Sequence, residues 1–78
     1  MPRYFFHVYD DGVARDDEGV ELADRECAIA TATAGARALA CDDVLHGRLN
    51  LGHRIVVADE AGVELATVTF REAVAVEG

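Results

Sequence analysis

"RYFFHVYD", residues 3–10, is the stretch on which the fold turns. It is rich in Phe, Tyr and Val, the side chains that suit a pleated strand, and Asp10-Asp11-Gly12 closes it with turn chemistry. The predicted strand therefore covers Arg3–Asp10. Side chains alternate along a strand, so Tyr4, Phe6 and Val8 share one face. Phe5, His7 and Tyr9 share the other, and it is no more polar than the first. A sheet wetted on one side would alternate in polarity, so this strand asks for cover on both faces.

Working outward, "GVARDDEGVELAD" (12–24) predicts a short second strand around the polar turn Asp16–Gly19. Two positions compete for it, one near Val13–Arg15 and one near Gly19–Leu22. Asp24 then has the short acceptor side chain of a helix N-cap. An alanine-rich helix runs from Arg25 to about Leu45, with Gly47 as its stop. Gly35 lies mid-helix, where glycine costs about 1 kcal/mol relative to alanine and often marks a close approach of another backbone. "RIVVAD" (54–59), the turn "DEAG" (59–62) and "VELATVTF" (63–70) predict a hairpin. "REAVAVEG" either adds a helical turn or frays.

The order strand–strand–helix–strand–strand predicts a single small α+β domain over residues 1–78. One helix packs on a four-stranded antiparallel sheet. The expected core is Tyr4, Phe6, Val8, Leu22, Ile29, Ala32, Ala36, Leu39, Ile55, Val57, Leu65, Val68 and Phe70. Leu65 and Val68 differ in parity, so placing both inside requires a β-bulge.

At 100° per residue the helix has two apolar stripes. Ala28, Ile29, Ala32, Ala36, Leu39 and Ala40 form the one expected to lie on the sheet. Cys27, Ala30, Ala34, Ala38 and Cys41 form the other, where a solvated helix ordinarily carries charge. Cys27, Ala34 and Cys41 recur at the heptad interval. The bland account is that alanine is a common helix former and the stripe faces water. The sharper account packs it on a second copy of the chain. The two cysteines stand roughly 21 Å apart along the axis and cannot bridge within one chain, which makes them free thiols.

Composition narrows the function. The net charge is −8 over 78 residues, and the seven basic residues are all Arg, scattered singly. Nucleic acids and anionic membranes are poor partners for such a surface. No apolar run approaches the roughly 20 residues of a bilayer span, and no signal-peptide pattern precedes Tyr4. The expectation is a soluble, cytoplasmic protein in a compartment that keeps thiols reduced.

Candidate chemistry is sparse. His7 shares a face with Phe5 and Tyr9, and Asp10 or Asp11 lies within reach of a strand-end imidazole, as a general base would need. A half-buried sheet histidine explains the same residue more simply. His7, His46 and His53 match no compact metal-ligand spacing. "DDGVARDDEG" resembles a calcium loop only in acidity, because Val13, Ala14 and Arg15 occupy positions that should supply oxygens. A solvated acidic turn is the better account. No phosphate cradle, catalytic triad order or CxxC is present in the sequence. No catalytic residue, cofactor or metal is predicted.

The blocks "MPRYFFHVYDDG", "DDEGVELAD" and "RIVVADEAGVELATVTF" together resemble a family of short bacterial proteins, frequent in rhizobia-like bacteria and classed as a domain of unknown function. Its members begin Met-Pro-Arg-Tyr-Phe-Phe-His. The resemblance spans nearly the whole chain and implies a shared fold, with no catalytic residues to carry over. In layout alone, strand, acidic turn, strand and helix are also similar to the core of HicB-type antitoxins, which bind a small toxin. The features that usually follow the second strand there are not evident here.

These considerations predict a non-enzymatic interaction or regulatory module acting as a homodimer, or binding another protein. The residues expected to carry it are Phe5, His7, Tyr9, Cys27, Ala30, Ala34, Ala38 and Cys41. The alternative is a small-ligand or metal-binding protein that uses the Phe5/His7/Tyr9 face.

Overall fold

The computed structural model describes residues 1–78. Its elements are β1 (Arg3–Tyr9), β2 (Val13–Ala14), β3 (Val20–Glu21), α1 (Arg25–Leu45), β4 (Arg54–Ala58), β5 (Glu64–Thr69) and α2 (Phe70–Ala73). The architecture is α+β: one long helix on an antiparallel sheet of order β2-β1-β4-β5, with β3 also beside β1. No helix is long and apolar enough to cross a membrane.

The sheet has five strands, not four, because the second strand is split. Both competing positions form. β2 pairs Val13 and Ala14 with Tyr9 and Val8, and β3 pairs Val20 and Glu21 with Tyr4 and Arg3. The chain bows out between them, and a side chain fills the gap in the ladder. Asp16 Oδ2 accepts the Phe6 N–H at 3.1 Å, while the Asp16 N–H donates to His7 Nδ1 at 3.1 Å. A carboxylate thus does for β1 what a neighbouring strand's carbonyl would do.

The other edge of β1 pairs with β4, from Phe5 opposite Ala58 to Tyr9 opposite Arg54. β4 and β5 form the expected hairpin. Gly62 takes φ +82° in the turn, and Asp59 Oδ1 accepts the N–H groups of Ala61 and Val63 at 2.9 Å. The expected bulge is present: Val57 opposes Ala66 and Ala58 opposes Glu64, which leaves Leu65 as the extra residue. That residue restores parity, so Leu65, Ala66 and Val68 all reach the core.

α1 begins and ends where the residues predict. Asp24 accepts the Cys27 N–H at 2.9 Å, a cap worth about 1 kcal/mol. At the other end Gly47 takes φ +86°, its N–H donates to Val44 O, and the Arg48 N–H donates to Asp43 O. This is the Schellman closure that a glycine permits.

The inner face of α1 is an alanine ladder, Ala28, Ala32, Ala36 and Ala40, each fully buried. With no side chain beyond Cβ, these residues bring the helix close to the sheet. Bulk is supplied from the opposite layer by Tyr4, Ile55, Val57, Val68 and Phe70. Gly35 marks a close approach, though to a side chain and not to a backbone: a Cβ there would lie 3.2 Å from Ile55 Cδ1.

Leu39 does not join the core and is 37% exposed. The reason is α2, the segment left open between a helical turn and fraying. Thr69 and Glu72 form a capping box, the turn forms, and its Phe70 and Ala73 are buried. Arg37 Nε donates to Ala73 O at 2.6 Å. α2 therefore sits on the Ala40 flank of α1, and the buried arc is rotated away from Leu39. Phe6, Val8, Leu22 and Ile29 are partly buried against the same core.

Candidate functional site

The second face of β1 has a cover of its own. Phe5, His7 and Tyr9 are each half-buried. A Cβ on Gly19 would lie 2.9 Å from Phe5 Cε2, so the β2–β3 loop packs directly on that ring. Arg54 lays its guanidinium over the Tyr9 ring, 4.6 Å from the centroid. Beneath this rim Val56, opposite His7, is only 3% exposed. The β2–β3 loop and a cation close much of the face, and no cavity opens over it.

His7 and the acidic turn belong to one network. The His7 Nδ1 lone pair accepts the Asp16 N–H, which fixes the proton of the neutral ring on Nε2. Asp16 is not a solvated member of the turn, as its acidity suggested. Its Oδ1 accepts the N–H groups of Glu18 and Gly19 at 3.1 and 3.0 Å. Burial pushes this carboxyl up, but the backbone N–H groups of Gly19, Phe6 and Glu18 outweigh it and hold the group below the usual carboxylate range. Asp10 and Asp11 do not contact His7: Asp10 accepts the Gly12 N–H, and Asp11 pairs with Arg48.

The outer stripe of α1 lies where helical spacing put it. Cys27, Ala30, Ala34, Ala38 and Cys41 are all exposed, and both cysteines are free thiols. The Asp24 carboxylate beside Cys27 favours the protonated thiol and pushes it above its ordinary range. Cys41 also lines an apolar groove of about 490 Å³ between the last turns of α1 and the chain after α2. Val44, Leu45, Leu49, Val74 and Val76 form its walls, with Arg37 and Glu77 at the rim.

His53 is the residue that spacing alone passed over. It is the one polar or charged side chain among the buried residues, at 7% exposure. The pairing of Tyr9 with Arg54 brings the Asp10-Asp11 turn alongside the residue before β4, so the strand register was the signal that could have found it. Asp11 Oδ1 lies 3.6 Å from Nε2, and Asp43 Oδ2 lies 3.7 Å from Nδ1. Asp11 is held below the usual carboxylate range by the Arg48 hydrogen bond first and then by the Arg48 charge. His7, His46 and His53 do not come together, and no three His, Cys, Asp or Glu side chains are placed to hold a metal ion.

No curated protein and no solved structure matches this chain. A family model does match, over residues 3–71, which takes in every strand and all of α1. On that match the chain belongs to the family described as Domain of unknown function (DUF6894).

Proposed function

We propose that this protein is a non-enzymatic interaction module that works as a homodimer through the outer face of α1. The observation that carries the reading is the makeup of that face. Cys27, Ala30, Ala34, Ala38 and Cys41 are exposed and uncharged in a chain of net charge −8. Their spacing is symmetric about Ala34: Ala30 and Ala38 are equally distant from it in sequence, and so are Cys27 and Cys41. A two-fold axis at Ala34, with the helices antiparallel, sets each Ala30 opposite Ala38 of the second copy and each Cys27 opposite Cys41. Small side chains let the axes approach to about 8 Å, the near end of the helix-packing range.

A standard interface removes about 800 Å² from each partner, roughly one-sixth of the 5045 Å² surface here. The apolar groove beside Cys41 extends the helix face toward that area. The charge argues against a nucleic-acid partner, and two free thiols suit a reducing, cytoplasmic setting.

Light scattering at micromolar concentration should give twice the 8.4 kDa chain mass. Ala34→Glu should return it to one chain mass with the far-ultraviolet circular dichroism unchanged. Under mild oxidation with diamide the wild type should form a covalent dimer on a non-reducing gel, and Cys41→Ser should not. A cross-linked Cys41→Ser dimer would mean parallel helices, and a wild type at 8.4 kDa at every concentration would remove the reading altogether.

A further inference from the structure

The joint between the β1–β2 turn, the end of α1 and the start of β4 holds a feature that self-association leaves unused. His53 is buried there with a carboxylate against each ring nitrogen, Asp11 at 3.6 Å and Asp43 at 3.7 Å. Its Nδ1 is the one buried side-chain polar atom without a hydrogen-bond partner. Backbone bonds hold the residue from both sides: the His53 N–H donates to Asn50 O at 3.2 Å, and His53 O accepts the Phe70 N–H at 2.8 Å. The Phe70 ring meets the imidazole edge-on at 5.5 Å.

A neutral imidazole has one N–H and one lone pair, whereas an ionised carboxylate only accepts. Whichever nitrogen carries the proton, the neutral ring turns a lone pair toward a carboxylate. The imidazolium turns an N–H toward both. We propose that His53 is a proton-operated latch: taking up a proton lets the ring close on Asp11 and Asp43 together and tightens the β1–β2 turn and the end of α1 onto β4.

Two effects oppose this. Burial disfavours the charged ring, and the Arg48 guanidinium stands nearby. Arg48 is already paired with Asp11, and the charges of Asp43 and Asp10 also act on it. α2 presents the uncharged Phe70 ring to His53. The two carboxylates within 4 Å of the ring and the single Arg48 cation that pairs with one of them together carry one net negative charge beside His53.

The sign of the pH dependence follows by linkage. A proton bound more tightly by the folded chain than by the unfolded one stabilises the fold as pH falls.

The test is urea unfolding of the wild type, His53→Gln and Asp43→Asn at pH 8 and pH 5.5. His7 and His46 are present in all three, so differences between variants isolate the latch. Between the two pH values the wild type should gain at least about threefold in its folded-to-unfolded ratio relative to either variant. If His53→Gln does not fold, the change of its partly buried partner, Asp43→Asn, carries the comparison. In the wild type at pH 5.5, nitrogen NMR should find both ring nitrogens of His53 protonated. Equal pH shifts in wild type and Asp43→Asn, or a neutral ring at pH 5.5, would overturn the latch.

Discussion

The two stripes of α1 are built from the same residue and meet opposite fates. Ala28, Ala32, Ala36 and Ala40 are buried to within a few per cent, while Ala30, Ala34 and Ala38 on the far side are exposed. Side-chain chemistry does not distinguish them. What distinguishes them is that a sheet and a short second helix supply large side chains on one side only. β1 poses the same contrast with larger groups. Tyr4, Phe6 and Val8 pack into the core, whereas Phe5, His7 and Tyr9 meet the Asp16 loop and the Arg54 guanidinium. Alanine in a helix therefore says little about burial, and an aromatic strand says only that cover is needed, not what provides it.

The largest expected effect breaks the contrast on the helix. Ala36→Leu forces three extra carbons between α1 and the sheet, and should destabilise the fold by about 1–3 kcal/mol. On the monomeric Ala34→Glu background, Ala30→Leu on the outer stripe should stay within about 0.5 kcal/mol. Chemical unfolding of both variants measures the difference, and equal losses would mean that the inner ladder is not tightly packed.

The next effect sharpens the contrast on β1. Asp16→Ala removes the acceptor of three backbone N–H groups, those of Phe6, Glu18 and Gly19. It should cost about 1–3 kcal/mol, since the Phe6 N–H lies in the sheet with no other partner. Hydrogen exchange at the Phe6 amide should accelerate in step. Because this carboxyl sits below its ordinary 3.8 in the folded chain, its stabilising share is fully present above that value. It is lost as pH falls through the lower folded value, and Asp16→Ala should lack that acid-side loss.

The smallest effect probes the outer stripe chemically. Asp24→Asn keeps an N-cap acceptor, so α1 should be unchanged. It removes the charge that raises the Cys27 thiol, and alkylation of Cys27 near neutral pH should become faster. An unchanged rate would show that Asp24 does not govern that thiol.

Much of this protein could be read from short-range chemistry. The β1 strand, the Asp24 cap, the Gly47 stop, the Asp59–Gly62 turn and the Leu65 bulge each depend on residues within a few positions of one another, where turn and capping preferences act. The two stripes of α1 follow from helical period alone. The split of the second strand was harder, because it depends on one carboxylate reaching across to the Phe6 N–H. The burial of His53 and the exposure of Leu39 were out of reach for the same physical reason. His53 is buried by a pairing between β1 and β4 that joins chain segments more than forty residues apart. Leu39 is left outside the covered arc of α1, while α2 forms because Thr69 and Glu72 cap each other and is tied to α1 by the Arg37–Ala73 hydrogen bond. Periodicity tells which residues share a face, and only contacts between distant segments decide which face is covered, and by what.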